Sequence, residues 1–128
     1  MGPASPSPVD VLIVDDQDPF RAVARRLVGR VDGWRVVGEA MSGEDALAQT
    51  TALHPGVIIM DINLPGISGI EATRLILQRH PDVAVVLVST YAAEDLPPEA
   101  DTCGAATYIR KDHLTAARLR ELLGGATP

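Results

Sequence analysis

Along the chain, short runs of apolar, mostly β-branched residues alternate with longer segments in which apolar positions recur every three or four residues. The first kind reads as strand and the second as amphipathic helix. The strand-like runs are VDVLIV (9–14), WRVVGEA (34–40), GVIIM (56–60), VAVVLVS (83–89) and ATYI (106–109). Runs without a polar residue inside them are the mark of strands buried on both faces. Between the first two, Phe20, Val23, Ala24, Leu27, Val28 and Val31 fall on one helical stripe, with Asp18 expected as N-cap and Pro19 at the first helical position. Ser42 with Asp45, and Ser68 with Glu71, have capping-box spacing at the start of the second and third helices. A last helix is expected to open at Asp112 and to carry Leu114, Leu119, Leu122 and Leu123 as far as the stop at Gly124-Gly125.

The fourth helix breaks the rhythm. Between Tyr91 and Gly104 the chain reads AAEDLPPEADTC, and each proline disfavours the α conformation in the residue before it. Pro98 is the earliest comfortable first helical position, so this helix should be short and poorly anchored. Five strands alternating with helices, without a run of hairpin turns, predict one α/β domain: a doubly wound five-stranded parallel sheet with helices on both faces. Residues 1–8 are expected to be a Pro/Ser-rich mobile lead, residues 9–123 the domain and residues 124–128 a tail.

Composition agrees with a single globular core. The chain has 128 residues, 46% hydrophobic and 22% charged, which excludes a disordered chain. With Phe20, Trp34, Tyr91 and Tyr108 as its aromatics, the core must be aliphatic. A net charge of -6 repels phosphate backbones, so no nucleic acid is expected as a partner of this chain. Arg21, Arg25, Arg26 and Arg30 share one helical segment and read as a solvated face. A lone cysteine, Cys103, excludes an intramolecular disulfide and fits a reducing compartment. The start MGPASPSP lacks the apolar core of a secretion signal, and no apolar run approaches the ~18 residues of a membrane span, so a cytoplasmic location and no membrane partner are expected.

The chemistry gathers at the strand ends. In an open α/β sheet, ligands bind beyond the carboxyl ends of the strands. There the first run carries Asp15 and Asp16, the third Asp61, the fourth Ser89 and Thr90, and the fifth Lys111. Any one of these is an ordinary polar strand terminus; a parallel sheet brings all of them to one edge. Three carboxylates within ~4 Å would repel by a few kcal/mol per pair at an effective dielectric near 20. Lys111 offsets part of that, and Mg2+ would offset more while accepting phosphate oxygens as its remaining ligands. Asp61 is then a competent nucleophile for phosphorus, with Ser89 and Lys111 each able to take a phosphoryl oxygen.

With VDD at 14–16, MDINLPG at 60–66, VLVST at 86–90 and GAATYIRKD at 104–112, the chain resembles the receiver domain of bacterial two-component response regulators, from about Val9 to Leu123. The resemblance implies the flavodoxin-like strand order 2-1-3-4-5. It implies that Asp15, Asp16, Asp61 and the backbone carbonyl of Asn63 hold Mg2+, and that Asp61 takes its phosphoryl group from a histidine kinase or phosphotransfer protein. It further implies that Ser89 and Lys111 sense the phosphoryl group with Tyr108 as an aromatic switch, and it allows a phosphorylation-dependent homodimer. Asn63 and Tyr91 are expected to set the lifetime of the phosphoryl group. The stretch GWRVVGEAMSGEDAL and the Asp112 after the lysine look like receivers that precede helix-turn-helix DNA-binding domains, the NarL/FixJ-like class. No such domain follows here, so a single-domain regulator or a receiver separated from its output domain is expected.

Two other function classes compete. A haloacid-dehalogenase-like phosphohydrolase would place an acid/base Asp two residues after the nucleophile, where this chain has Asn63. A pseudo-receiver would typically lack one of the acidic or lysine positions, and all are present. His54, His80 and His113 have no second His or Cys at ligand spacing; the first two read as helix-end residues. Cys103 reads as buried packing.

Overall fold

The computed structural model describes residues 8–124. All of the expected lead except Pro8, and all of the expected tail except Gly124, lie outside the described residues. Five strands form one parallel sheet in the order β2-β1-β3-β4-β5: β1 Val9–Val14, β2 Trp34–Ala40, β3 Val57–Asp61, β4 Ala84–Ser89 and β5 Thr107–Arg110. The helices are α1 Asp18–Gly29, α2 Gly43–Leu53, α3 Gly69–Arg79, α4 Glu99–Thr102 and α5 Ala116–Gly124.

Strand parity sorts the apolar runs into two cores. Leu12, Val14, Ile58, Met60, Val85 and Leu87 face α2 and α3, where Ala46, Ala72 and Ile76 meet them. Val11, Ile13, Val57, Ile59, Val86 and Val88 point the other way, against Ala24 and Val28 of α1 and Leu119 of α5. All of these residues are fully buried, and each Val, Leu, Ile or Met side chain among them contributes about 1.5–3 kcal/mol. A run with no polar position is therefore two alternating faces, each with its own helical layer.

The N-caps at Ser42 and Ser68 form as expected. Their hydroxyls accept from the Asp45 and Glu71 amides at 3.0 and 3.1 Å. The reciprocal half of each capping box does not form, because Asp45 turns to Gln49 and Glu71 to Arg74. His54 and His80 cap the C-termini of α2 and α3.

Four expectations need correction. Asp18 is the first residue of α1 rather than its cap: Gln17 is extended and its carbonyl accepts from the Arg21 amide, while the Asp18 carboxylate is drawn to the Arg21 side chain. The last helix does not open at Asp112. Residues 111–113 form a 3-10 turn, and α5 starts at Ala116 because the Thr115 hydroxyl accepts from the Arg118 amide at 3.1 Å, whereas the Asp112 carboxylate is held by Arg110 at 2.9 Å. The fifth strand is displaced by one residue from the run at 106–109 and spans Thr107–Arg110. The fourth correction concerns Arg21, which is buried rather than part of a solvated face.

The fourth helix is as short as the prolines predict. A 3-10 turn at Ala93–Asp95 and the four residues of α4 occupy the span, and neither contains a buried residue. Cys103 just beyond is buried, its thiol donating to the Ala100 carbonyl at 3.5 Å.

Candidate functional site

The strand order places the topological switch between β1 and β3, the two strands that end in acids. Val14 pairs with Met60, so one further step sets Asp15 beside Asp61. Val88 pairs with Asp61 and Ser89 with Arg110, which carries Ser89 and Lys111 to the same edge. Oxygens of Asp15, Asp16 and Asp61 lie within 4.8 Å of one another, with Asp15 and Asp61 buried and Asp16 exposed. This is the one group of three or more metal-ligating side chains at such spacing among the described residues.

Lys111 closes the cluster. Its Nζ lies 2.7 Å from Asp15 Oδ2 and 3.5 Å from Asp61 Oδ1. It also sits 4.6 Å from the centroid of the Phe20 ring, in cation–π contact. Asp15 Oδ1 accepts from the Gln17 amide at 2.7 Å, whereas Asp15 Oδ2 is buried and accepts no hydrogen bond, its contact with Lys111 being an ion pair without hydrogen-bond geometry. A buried anionic oxygen without a donor has open coordination capacity. The Asp61 carboxyl is pushed up to about 6, first by burial and then by the Asp15 charge, against the opposing pull of Lys111 and the Asn63 amide. An acidic cluster with an orphaned oxygen and a raised carboxyl fits a hard divalent cation.

Ser89 is fully buried, and its hydroxyl accepts from the Tyr91 amide at 3.2 Å. Tyr108 donates to the Ser89 carbonyl at 3.3 Å and to the Tyr91 carbonyl, so its ring is tied to the loop after β4. Burial raises its phenol above the ordinary value. Tyr91 is exposed at the rim. Asn63 is exposed, and its amide approaches Asp61 Oδ1 at 3.4 Å.

Several residues read in the sequence only as packing, helix face or loop shape this site. Phe20 faces the ammonium. Glu44 of α2 accepts from the Ile67 amide at 3.3 Å and so braces the β3–α3 loop, where Gly66 adopts φ 76. Arg21 reaches beneath β1 to the Asp15 carbonyl at 2.6 Å. A cavity of about 390 Å³ lies beside the cluster rather than at it, between the β3–α3 loop and α4, with Ile62, Ile70, Pro97 and Cys103 in its walls.

Comparison with known proteins places these features in context. A family described as response regulator receiver domain matches residues 11–123. The response regulator GacA of Pseudomonas protegens is 43% identical over 103 residues, covering 80% of this chain and 48% of that protein. UvrY of Escherichia coli K12 is 39% identical over 80% of this chain and 47% of its own length; the chain thus spans about half the length of these relatives. Among solved structures, the receiver domain of a putative response regulator NarL from Mycobacterium tuberculosis superposes with a TM-score of 0.82 at 28% identity, covering 93% of this chain and 99% of that one. The response regulator domain of CheB from Thermotoga maritima gives 0.81 at 33% identity, covering 93% and 96%.

Proposed function

The chain belongs to the response regulator receiver domain family, whose members act as phosphorylation switches in two-component signalling, and on that premise we propose that Asp61 is the residue phosphorylated. The observation that carries this is the set of three carboxylates around one ammonium group at the β1/β3 switch point. Asp15, Asp16, Asp61 and the Asn63 carbonyl would hold Mg2+. Held there, the cation would supply positive charge that offsets the carboxylates and the phosphoryl oxygens.

The chain's own groups do the rest. A carboxylate oxygen of Asp61 attacks phosphorus in line, the bond to the donor's imidazole nitrogen breaks, and its electron pair leaves with the imidazole. The donor is a histidine kinase or a phosphotransfer protein. Lys111 releases Asp61 to take a phosphoryl oxygen, and Ser89 exchanges its Tyr91 amide contact for another. Movement of Ser89 changes the loop to which the Tyr108 hydroxyl is bonded, which makes Tyr108 the relay. Tyr91 at the rim shields the product from water, and Asn63 carries no acid or base to activate one, so both lengthen its lifetime.

We place the switch unit at residues 9–123 in the cytoplasm, regulating a partner, a second copy of itself or an output domain. Among the described residues no helix is long and apolar enough to cross a membrane. The net charge of -6 argues against a nucleic-acid surface on this chain.

The test is intact mass after incubation with acetyl phosphate and Mg2+. One alkali-labile phosphoryl group is expected on the parent and none on Asp61→Asn or in the presence of chelator. Labelling that persists in either condition refutes the assignment.

A further inference from the structure

Arg21 is the buried charge that the phosphoryl chemistry leaves unused. Its side chain is 10% exposed, yet its guanidinium has three directed contacts. Nη1 donates to the Asp15 carbonyl at 2.6 Å, Nε to Glu39 Oε1 at 3.1 Å, and Nη2 to Asp18 Oδ1. Glu39 on β2 is held in turn by exposed Arg25, at 2.7 Å through both of its carboxylate oxygens. A buried ion pair is a weak source of net stability, so its consequence is better sought in what the network grips.

What it grips is the peptide that precedes Asp16. That carboxylate is the exposed member of the acidic cluster, and its side chain makes no hydrogen bond or ion pair with any described residue. Its position is set by backbone alone. On one side, the Asp15 amide donates to the Ala40 carbonyl at 3.0 Å and the Asp15 carbonyl is fixed by the Arg21 fork. On the other, the Gln17 carbonyl accepts from the Arg21 amide at 3.2 Å. Arg21 therefore brackets Asp16 with its side chain before it and its main chain after it.

We propose that Arg21 is a positioning residue for the cation site: by gripping the Asp15 carbonyl it holds the β1–α1 loop, and Asp16 with it, in the geometry that binds Mg2+. The inference rests on the reading that Asp15, Asp16 and Asp61 are the ligands. Mg2+ demands near-ideal octahedral geometry and dehydrates reluctantly, so a loose ligand costs affinity steeply. Groups that orient ligands typically contribute 10–100-fold to metal affinity. The planar fork matters as well as the charge, because an ammonium group on a flexible stem cannot meet three divergent acceptors at once.

Calorimetric titration of the full chain with MgCl2 tests this. Arg21→Met should raise the Mg2+ dissociation constant about tenfold or more, and Arg21→Lys should stay close to Arg21→Met. Arg25→Met, which loses the shared Glu39 but not the Asp15 contact, should bind as the parent does. Melting in chelator fixes a temperature at which every variant is folded, separating affinity from stability. In acetyl phosphate labelling, the half-saturating Mg2+ concentration of Arg21→Met should rise by the same factor while saturating Mg2+ restores the parent's maximal rate. An unchanged dissociation constant in folded Arg21→Met, or parent affinity in Arg21→Lys, overturns the proposal. Should Arg21→Met fail to fold, Arg21→Lys carries the test: it keeps the charge and loses the planar fork, and parent affinity there overturns the proposal. If the parent itself binds no Mg2+, it is the ligand assignment that fails, and the proposal with it.

Discussion

A methyl group on Gly69 would collide with the Asp61 carbonyl oxygen and come within 2.8 Å of its carbon. Gly69 opens α3, and its amide donates to the Ile62 carbonyl at 2.8 Å, so the helix start packs directly on Asp61, the residue we propose as the acceptor. Gly69→Ala should lower stability by about 3 kcal/mol, because the contact is backbone on backbone and has no rotamer to yield. Thermal melting measures that loss. At a temperature where the variant is still folded, it should also label more slowly with acetyl phosphate, since a displaced Asp61 is misaligned with its partners. A parent-like melt would show that the loop yields freely. The sequence displays Gly69 as part of a capping motif, and its packing role is invisible there, because the atom it must avoid belongs to a different element.

At the scale of elements, the weak point is the stretch from Ala92 to Cys103. Its 3-10 turn and four-residue helix contain no buried residue, and Leu96 and Ala100 are its partly buried anchors, with Cys103 behind them. Such a segment opens locally at little cost. It also follows the loop to which Tyr108 is bonded, so a shift of Ser89 reaches it directly. Residues 92–103 should therefore show the fastest amide exchange between residues 9 and 122 in the free protein, and the largest gain in protection when beryllofluoride and Mg2+ mimic the phosphoryl group. Strong protection in the free state, or a change confined to the Asp61 to Gly69 loop, would rule this out. The double proline makes the shortness of this helix legible from sequence. The position of α5 was not legible: Asp112 and Thr115 are both good caps, and the choice depends on Arg110, which occupies the Asp112 carboxylate.

The whole molecule carries the electrostatic cost of the cluster. Without a cation, the Asp61 carboxyl is raised to about 6 by burial first and by Asp15 second. The folded state then binds the proton more tightly than the unfolded chain. This contribution therefore favours folding at low pH and is lost as pH rises between the unfolded value near 4 and the folded value. In chelator, the stability difference between Asp61→Asn and the parent should grow across that window, by up to about 3 kcal/mol. Mg2+ held at the proposed site would reverse the balance by favouring the ionised form. At roughly 100 times its dissociation constant it should stabilise the parent by about 2.7 kcal/mol, or roughly 10 °C, and Asp16→Ala should abolish most of that rise. Melting curves across pH, with and without Mg2+, check both statements; an equal rise in Asp16→Ala would place the cation elsewhere.

What the sequence determined by itself was local or periodic. Continuous apolar runs could only be strands with two buried faces, helical stripes could only cover them, and a parallel sheet could only bring the acids of β1 and β3, Ser89 and Lys111 to one edge. Serine caps and a proline-broken helix were equally local. What only the tertiary structure decided was how groups distant in sequence share space: the Phe20 ring against Lys111, Glu44 against the β3–α3 loop, Gly69 against the back of Asp61. Above all it decided the state of Arg21. A helical arginine beside three others looks solvated in sequence, and it is buried here because β2 brings Glu39, and the turn after β1 brings the Asp15 carbonyl, to the same side of α1. Burial and charge pairing depend on every element that packs against a side chain, and periodicity along one element describes that element alone.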